Sequence, residues 1–152
     1  MAARPAWAEG TETTAGDDVD DDALAIRAYE ESDRHVLVLA GELDMSGVSA
    51  FESAATQLCR RGARELLVDI SDVDFIDSSG LRSILTVKAV CEEHACPFSM
   101  THGSGQAERL FELTRLVERL PFRKSGRTRP RREIELDVEP AGGEEAGPSA
   151  LV

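Results

Sequence analysis

The chain has 152 residues, the length of a single domain, and a formal charge of -12 at pH 7. That charge is uneven, -6 over residues 1–23, -5 over 24–123 and -1 over 124–152, and it argues against nucleic acid or an anionic membrane as the main partner. No apolar run approaches the roughly 20 residues of a membrane span, and no basic segment followed by an apolar one opens the chain, so a cytoplasmic protein is expected.

Residues 1–23 are rich in Ala, Gly, Thr and acids, with five acids among the six residues Asp17 to Asp22. They bury too little apolar area to offset the entropy of ordering, so a disordered acidic tail is expected. Leu24 to Glu30 alternates as an edge-like strand. Glu31 to Arg34 is a turn, and His35 to Ala40 is a second, more buried strand, so the pair predicts an antiparallel hairpin. Gly41-Glu42-Leu43-Asp44 turns the chain. Ser46 then caps a helix whose apolar positions Val48, Phe51, Ala55, Leu58 and Cys59 fall at helical spacing, and Gly62 stops it.

Glu65 to Ile70 is the third strand. Leu81 to Cys91 is the second helix, with Leu81, Ile84, Leu85 and Val87 as its expected core positions. Pro97 to Thr101 is a fourth strand. A third helix carries Ala107, Leu110 and Phe111, and Leu116 to Phe122 is a final short helix or strand. Residues 124–152 read mostly as a second disordered tail, although Ile134 to Val138 alternates like a strand. The order of elements predicts an α/β layer fold over residues 24–123: a mixed sheet of four to five strands with amphipathic helices covering mainly one face.

Between the third strand and the second helix lies Ser71-Asp72-Val73-Asp74-Phe75-Ile76-Asp77-Ser78-Ser79-Gly80. Read as an acidic turn, it delivers two hydroxyls to the start of a helix. Ser and Asp favour such starts because their oxygens accept bonds from unpaired backbone N–H groups. A helix N-terminus also carries partial positive charge and free donors, so it suits an added phosphate. These residues alone fit either simple capping or a serine displayed for modification or contact.

No catalytic constellation is present. His35, His94 and His102 fall in a strand, a helix end and a loop, without a nucleophile partner. Gly103-Ser104-Gly105 is too short for a phosphate loop and lacks its lysine. Asp77-Ser78-Ser79-Gly80 is not the Gly-x-Ser-x-Gly of a serine hydrolase. Asp69, Asp72, Asp74 and Asp77 lack the glycine and distal Glu of a calcium loop, so a solvated acidic turn is the better reading. Cys59 and Cys91 fall on apolar helix faces and Cys96 just before a strand, as buried thiols of a reducing compartment would. Cys91, His94 and Cys96 fit no standard zinc spacing. No metal, no cofactor and no enzymatic activity are expected.

Three motifs in this order resemble a known family. Gly41-Glu42-Leu43-Asp44, Val73-Asp74-Phe75-Ile76-Asp77-Ser78-Ser79-Gly80-Leu81 and Ala107-Glu108-Arg109-Leu110-Phe111-Glu112-Leu113-Thr114 are similar to the STAS domain of bacterial anti-sigma factor antagonists, over about residues 24–122. The resemblance implies that Ser78, the first serine after the acid, is phosphorylated by the partner, an anti-sigma factor that is an ATP-dependent serine kinase. It implies that the unphosphorylated chain binds that partner and frees sigma factor, that the phosphorylated chain lets go, and that a phosphatase resets it. Asp44 matches an acid close to the serine and Asp77 the acid before it. With Ser79, Gly80, Leu81 and Arg82 they form the expected partner-binding surface. A non-switching STAS scaffold in a signalling or lipid-transport assembly is the alternative. Two departures stand out. Arg123 to Arg132 is basic and Pro-broken where the family continues into a helix, and Arg82 stands where a small residue is common, either as a plain surface arginine or as a partner for Asp77 or a phosphate.

Overall fold

The computed structural model describes residues 23–32, 34–103, 105–123 and 131–137. The acidic run Asp17 to Asp22, residues 124–130 and residues 138–152, Val138 included, lie outside them.

The hairpin forms as its alternation dictates. Strand β1 (Ala25–Glu31) pairs antiparallel with β2 (Arg34–Leu43), from Ala25 opposite Ala40 to Glu31 opposite Arg34. Strand β2 runs through Gly41-Glu42-Leu43, the stretch read as a turn. Gly41 takes a φ of 101° there, a conformation that costs glycine little, and Leu43 stays in register with Ile76 of the next strand.

Helix α1 (Met45–Arg60) follows. Its cap is Asp44 and not Ser46: the Ser46 amide and hydroxyl both donate to Asp44 Oδ1, at 3.0 and 2.8 Å. The helix already begins at Met45, so Ser46 lies inside its first turn and Asp44 occupies the capping position. Strand β3 (Leu66–Ile76) is eleven residues long and pairs in parallel with β2. The acidic stretch after Ile70 is thus the second half of a strand. Two register shifts, between Val38 and Ala40 and between Gly41 and Glu42, give β3 one extra residue each time. Such bulges break the period of two, so that the buried residues fall three apart, at Ile70, Val73 and Ile76.

Helix α2 (Ser78–Glu93), β4 (Phe98–Thr101) and α3 (Gly105–Leu113) complete the repeat of helix and strand. A 3-10 turn (Leu116–Glu118) leads to a two-residue β5 (Phe122–Arg123). The sheet order is β5-β4-β3-β2-β1-β6, six strands instead of the expected four to five. The additional strand, β6 (Arg132–Ile134), pairs antiparallel with β1 and lies beyond residue 123. Charge holds it there. Glu31 is fully buried and accepts bonds from Arg34 (2.6 Å) and Arg131 (2.7 Å), while Arg132 pairs with Glu30 at 2.8 Å. Beyond the strand, Gln57 exchanges two hydrogen bonds with the Asp137 backbone.

The three helices pack on the sheet face carrying Leu37, Leu39, Leu66, Val68 and Ile70. Phe51 and Leu58 from α1, Ile84 and Val87 from α2, and Phe111 from α3 fill that core. Each such side chain contributes about 1.5–3 kcal/mol through removal from water. Leu85, expected in the core, is 41% exposed, because it falls on the outer side of α2. Val36, Val38 and Leu67, with Tyr29, form a smaller cluster on the other face. No helix of the described residues is long and apolar enough to cross a membrane.

Candidate functional site

Parallel pairing brings two helix starts together. Leu43 ends β2 opposite Ile76, which ends β3. The next residue in each case, Asp44 and Asp77, is extended and caps the helix that follows. Helices α1 and α2 therefore open side by side at one end of the sheet. Each start carries about half a unit of positive charge and unpaired N–H groups.

Asp77 accepts from the Gly80 amide at 2.9 Å, and its carbonyl accepts from Leu81 at 2.9 Å. The cap being supplied by the aspartate, the Ser78 side chain is left free of that duty. Ser78 is the first residue of α2 and is exposed; Ser79 and Leu81 are half-buried, and Arg82 is exposed. Gly80 is buried against β2: a Cβ there would lie 2.1 Å from the Leu43 carbonyl oxygen and 2.9 Å from Leu43 Cγ. Only glycine lets the first turn of α2 sit this close to the strand. One turn on, buried Ser83 donates to the Gly80 carbonyl at 2.7 Å. The geometry thus gathers Asp44, Asp77, Ser78, Ser79, Gly80 and Leu81 at one edge, with Arg82 on the adjacent outer surface.

Other residues of this edge escape a reading of the sequence. Gln106, at the start of α3, accepts from the Ile76 amide and donates to the Ile76 carbonyl, both at 2.9 Å. Strand β4 ends at Thr101, so this side-chain amide replaces the missing strand partner at the end of β3. Met45 (71% exposed) at the start of α1, Phe75 (37%) near the end of β3 and Leu85, two turns into α2, leave apolar surface exposed. Met45 follows directly on Asp44, and Phe75 lies opposite Glu42. The outward face of Phe75 can be read only once the bulges of β3 are known.

Two of the four acids have separate structural duties. Asp69 is buried and holds Ser71 through its amide (3.0 Å) and hydroxyl (2.6 Å), and Asp77 caps α2. The histidines are dispersed as well: His35 is buried, His94 holds the Val90 carbonyl, and His102 stacks on Phe122 with Nδ1 3.0 Å from Glu108. The three cysteines are free, buried and mutually close. The Cys91 thiol beside Cys59 holds that group down to about 7, whereas burial pushes Cys96 up to about 11.

A family model described as "Mlab, STAS domain" matches residues 26–121. No curated protein matches the chain in sequence. Among solved structures, an anti-sigma factor antagonist from Mycobacterium paratuberculosis superposes with a TM-score of 0.61 at 24% identity, covering 68% of this chain and 88% of that one. The anti-sigma factor antagonist SpoIIAA in its unphosphorylated form gives 0.57 at 20% identity, over 68% of this chain and 90% of the other. SpoIIAA of Bacillus in the phosphorylated form gives 0.52 at 21% identity, over 68% and 93%. The chain shares the fold of these proteins.

Proposed function

We propose that this chain, which belongs to the STAS domain family, is an anti-sigma factor antagonist switched by phosphorylation of Ser78. In this reading the unphosphorylated chain binds an anti-sigma factor that is also a serine kinase, and so frees sigma factor. The kinase then moves the γ-phosphoryl group of ATP to Ser78 Oγ; ADP leaves and the hydroxyl proton passes to a base on the kinase. A phosphatase restores the hydroxyl. The role is one of binding and not of catalysis.

The observation that carries this reading is Ser78: exposed, first in α2, next to its capping carboxylate, where two helices open side by side. A protein of the same fold, SpoIIAA of Bacillus, exists in a phosphorylated form. The exposed Met45, Phe75 and Leu85 give a protein partner apolar surface to bury.

Electrostatics favours a switch on binding. A phosphate adds about -1.5 to -2 charges at pH 7. The start of α2 favours it by ~0.3–1 kcal/mol, while Asp44, Asp74 and Asp77 oppose it. Within the monomer these effects are of similar size, so the fold tolerates the change. At a closed interface, a charge facing carboxylates without water costs several kcal/mol, and each 1.4 kcal/mol is tenfold in affinity.

The test is to incubate the full chain with candidate anti-sigma factor kinases and ATP, and to weigh it. One added phosphate is expected, lost in Ser78→Ala and kept in Ser79→Ala. Phosphate on Ser79 would overturn the assignment. Stable binding without any transfer would favour the non-switching scaffold.

A further inference from the structure

We propose that Cys59, Cys91 and Cys96 form a site for one soft, thiol-seeking cation of the Cu(I) class. The Sγ atoms of Cys59 and Cys91 are 3.4 Å apart, and all three sulfurs lie within 4.8 Å of one another. A metal–sulfur bond of about 2.3 Å sets three sulfurs about 4.0 Å apart around a trigonal ion, so the triangle needs only small side-chain adjustments.

The backbone builds this triangle. Helix α2 ends in a turn where the Cys96 amide donates to the Cys91 carbonyl (2.9 Å) and the Ala95 amide to the Glu92 carbonyl (3.2 Å). That pattern places the side chains of Cys91 and Cys96 against each other. It requires a left-handed residue, usually glycine; here Ala95 takes it with a φ of 55°, a conformation alanine adopts at a cost. Cys59 comes from the last turn of α1, packed alongside.

The surroundings favour a soft cation. Cys59 and Cys91 both sit in the last turn of a helix, where the backbone carries partial negative charge. Thiolates select soft ions. His94, between two of the cysteines in sequence, is exposed and holds its Nδ1 against the Val90 carbonyl, so three sulfurs stand without a fourth ligand among the described residues. Zinc in a structural site wants four ligands, whereas Cu(I) accepts three. A disulfide would use two of the sulfurs and leave the third idle. Access is short: Cys96 lines an open surface pocket with Lys88, Glu92 and Pro97.

The full reduced chain is titrated without oxygen with Cu(I), supplied as its acetonitrile complex against a colorimetric Cu(I) chelator. One equivalent should be withheld from the chelator, with a near-ultraviolet thiolate-to-copper band. Zinc should bind at least tenfold more weakly. Cys59→Ala and Cys96→Ser should each lose the band and most of the retention while keeping the far-ultraviolet circular dichroism of the parent. Bound copper should also slow alkylation of all three thiols in the unsubstituted chain, a readout that needs no variant to fold. Failure of the unsubstituted chain to withhold copper, or unchanged retention in folded variants, would overturn the proposal.

Discussion

Gln106 holds Ile76 by both ends of its peptide group, accepting from the amide and donating to the carbonyl at 2.9 Å each. Ile76 lies two residues before Ser78, so the two bonds fix the last point of β3 from which the serine is displayed. Replacing Gln106 with Ala removes both and leaves two backbone groups partly buried and unpaired. A loss of about 1–3 kcal/mol is expected, read from urea unfolding. Phosphate transfer to Ser78 should slow in folded Gln106→Ala. Equal transfer rates would show that the serine is positioned without this clamp.

Gly80→Ala is expected to be severe. Its methyl group would meet the Leu43 carbonyl oxygen at 2.1 Å, and backbone cannot yield as a flexible side chain can. Overpacking of this kind costs about 1–3 kcal/mol or more. Unfolding midpoints should fall accordingly, and partner binding should weaken because α2 must lift off β2. A variant as stable as the parent would refute the close contact.

Ser78→Asp tests the switch without a kinase. The residue is exposed, so stability should stay within about 0.5 kcal/mol of the parent. Affinity for the anti-sigma factor should drop at least tenfold, and Ser78→Ala should bind constitutively. The two affinities are compared by calorimetry; if both match the parent, phosphorylation does not control binding.

Glu31 links the segment 131–137 to the hairpin and makes it acid-sensitive. Burial pushes its carboxyl up, but the bonds from Arg131 and Arg34 outweigh burial and hold it below the usual glutamate range. A group whose folded value is lowered stabilises the fold above its unfolded value and ceases to do so as pH falls through the folded one. The domain should therefore lose stability on acidification below the ordinary glutamate range, near pH 4. Glu31→Ala leaves Arg34 and Arg131 facing each other at a cost of about 3 kcal/mol. It should also flatten this acid limb, as thermal melts across pH would reveal.

The hairpin and the three helices were legible because local periodicity states them directly, and the family motifs were legible through their resemblance to the STAS pattern. The second half of β3 was not. Its buried residues Ile70, Val73 and Ile76 fall three apart, since two bulges interrupt the alternation, and Asp72 and Asp74 between them imitate a turn. Asp44 caps α1 in place of Ser46 because the helix starts at Met45, and both residues are good caps by type, so the sequence does not choose between them. Gln106 was invisible because its partner is a backbone group 30 residues away. The cysteine triangle was hidden for the same reason: Cys59 and Cys91 are 32 residues apart and meet only when α1 and α2 pack.

The sheet is bounded by strands of two and three residues, β5 and β6. An outermost strand offers unpaired N–H and C=O groups to any neighbouring chain, and shortness is one way proteins blunt that offer. On the β6 side the protection is borrowed: β6 covers part of the seven-residue β1, and it stays in place through Arg131 and Arg132. A protease cut anywhere in 124–130 would leave this cover attached by side-chain charge, three residues of ladder, the Gln57 and Arg61 bonds to the backbone of Asp137 and Glu135, and the packing of Ile134 and Leu136. Its departure would turn a blunted margin into a template for strand addition, and the damaged molecule would become a seed for aggregation.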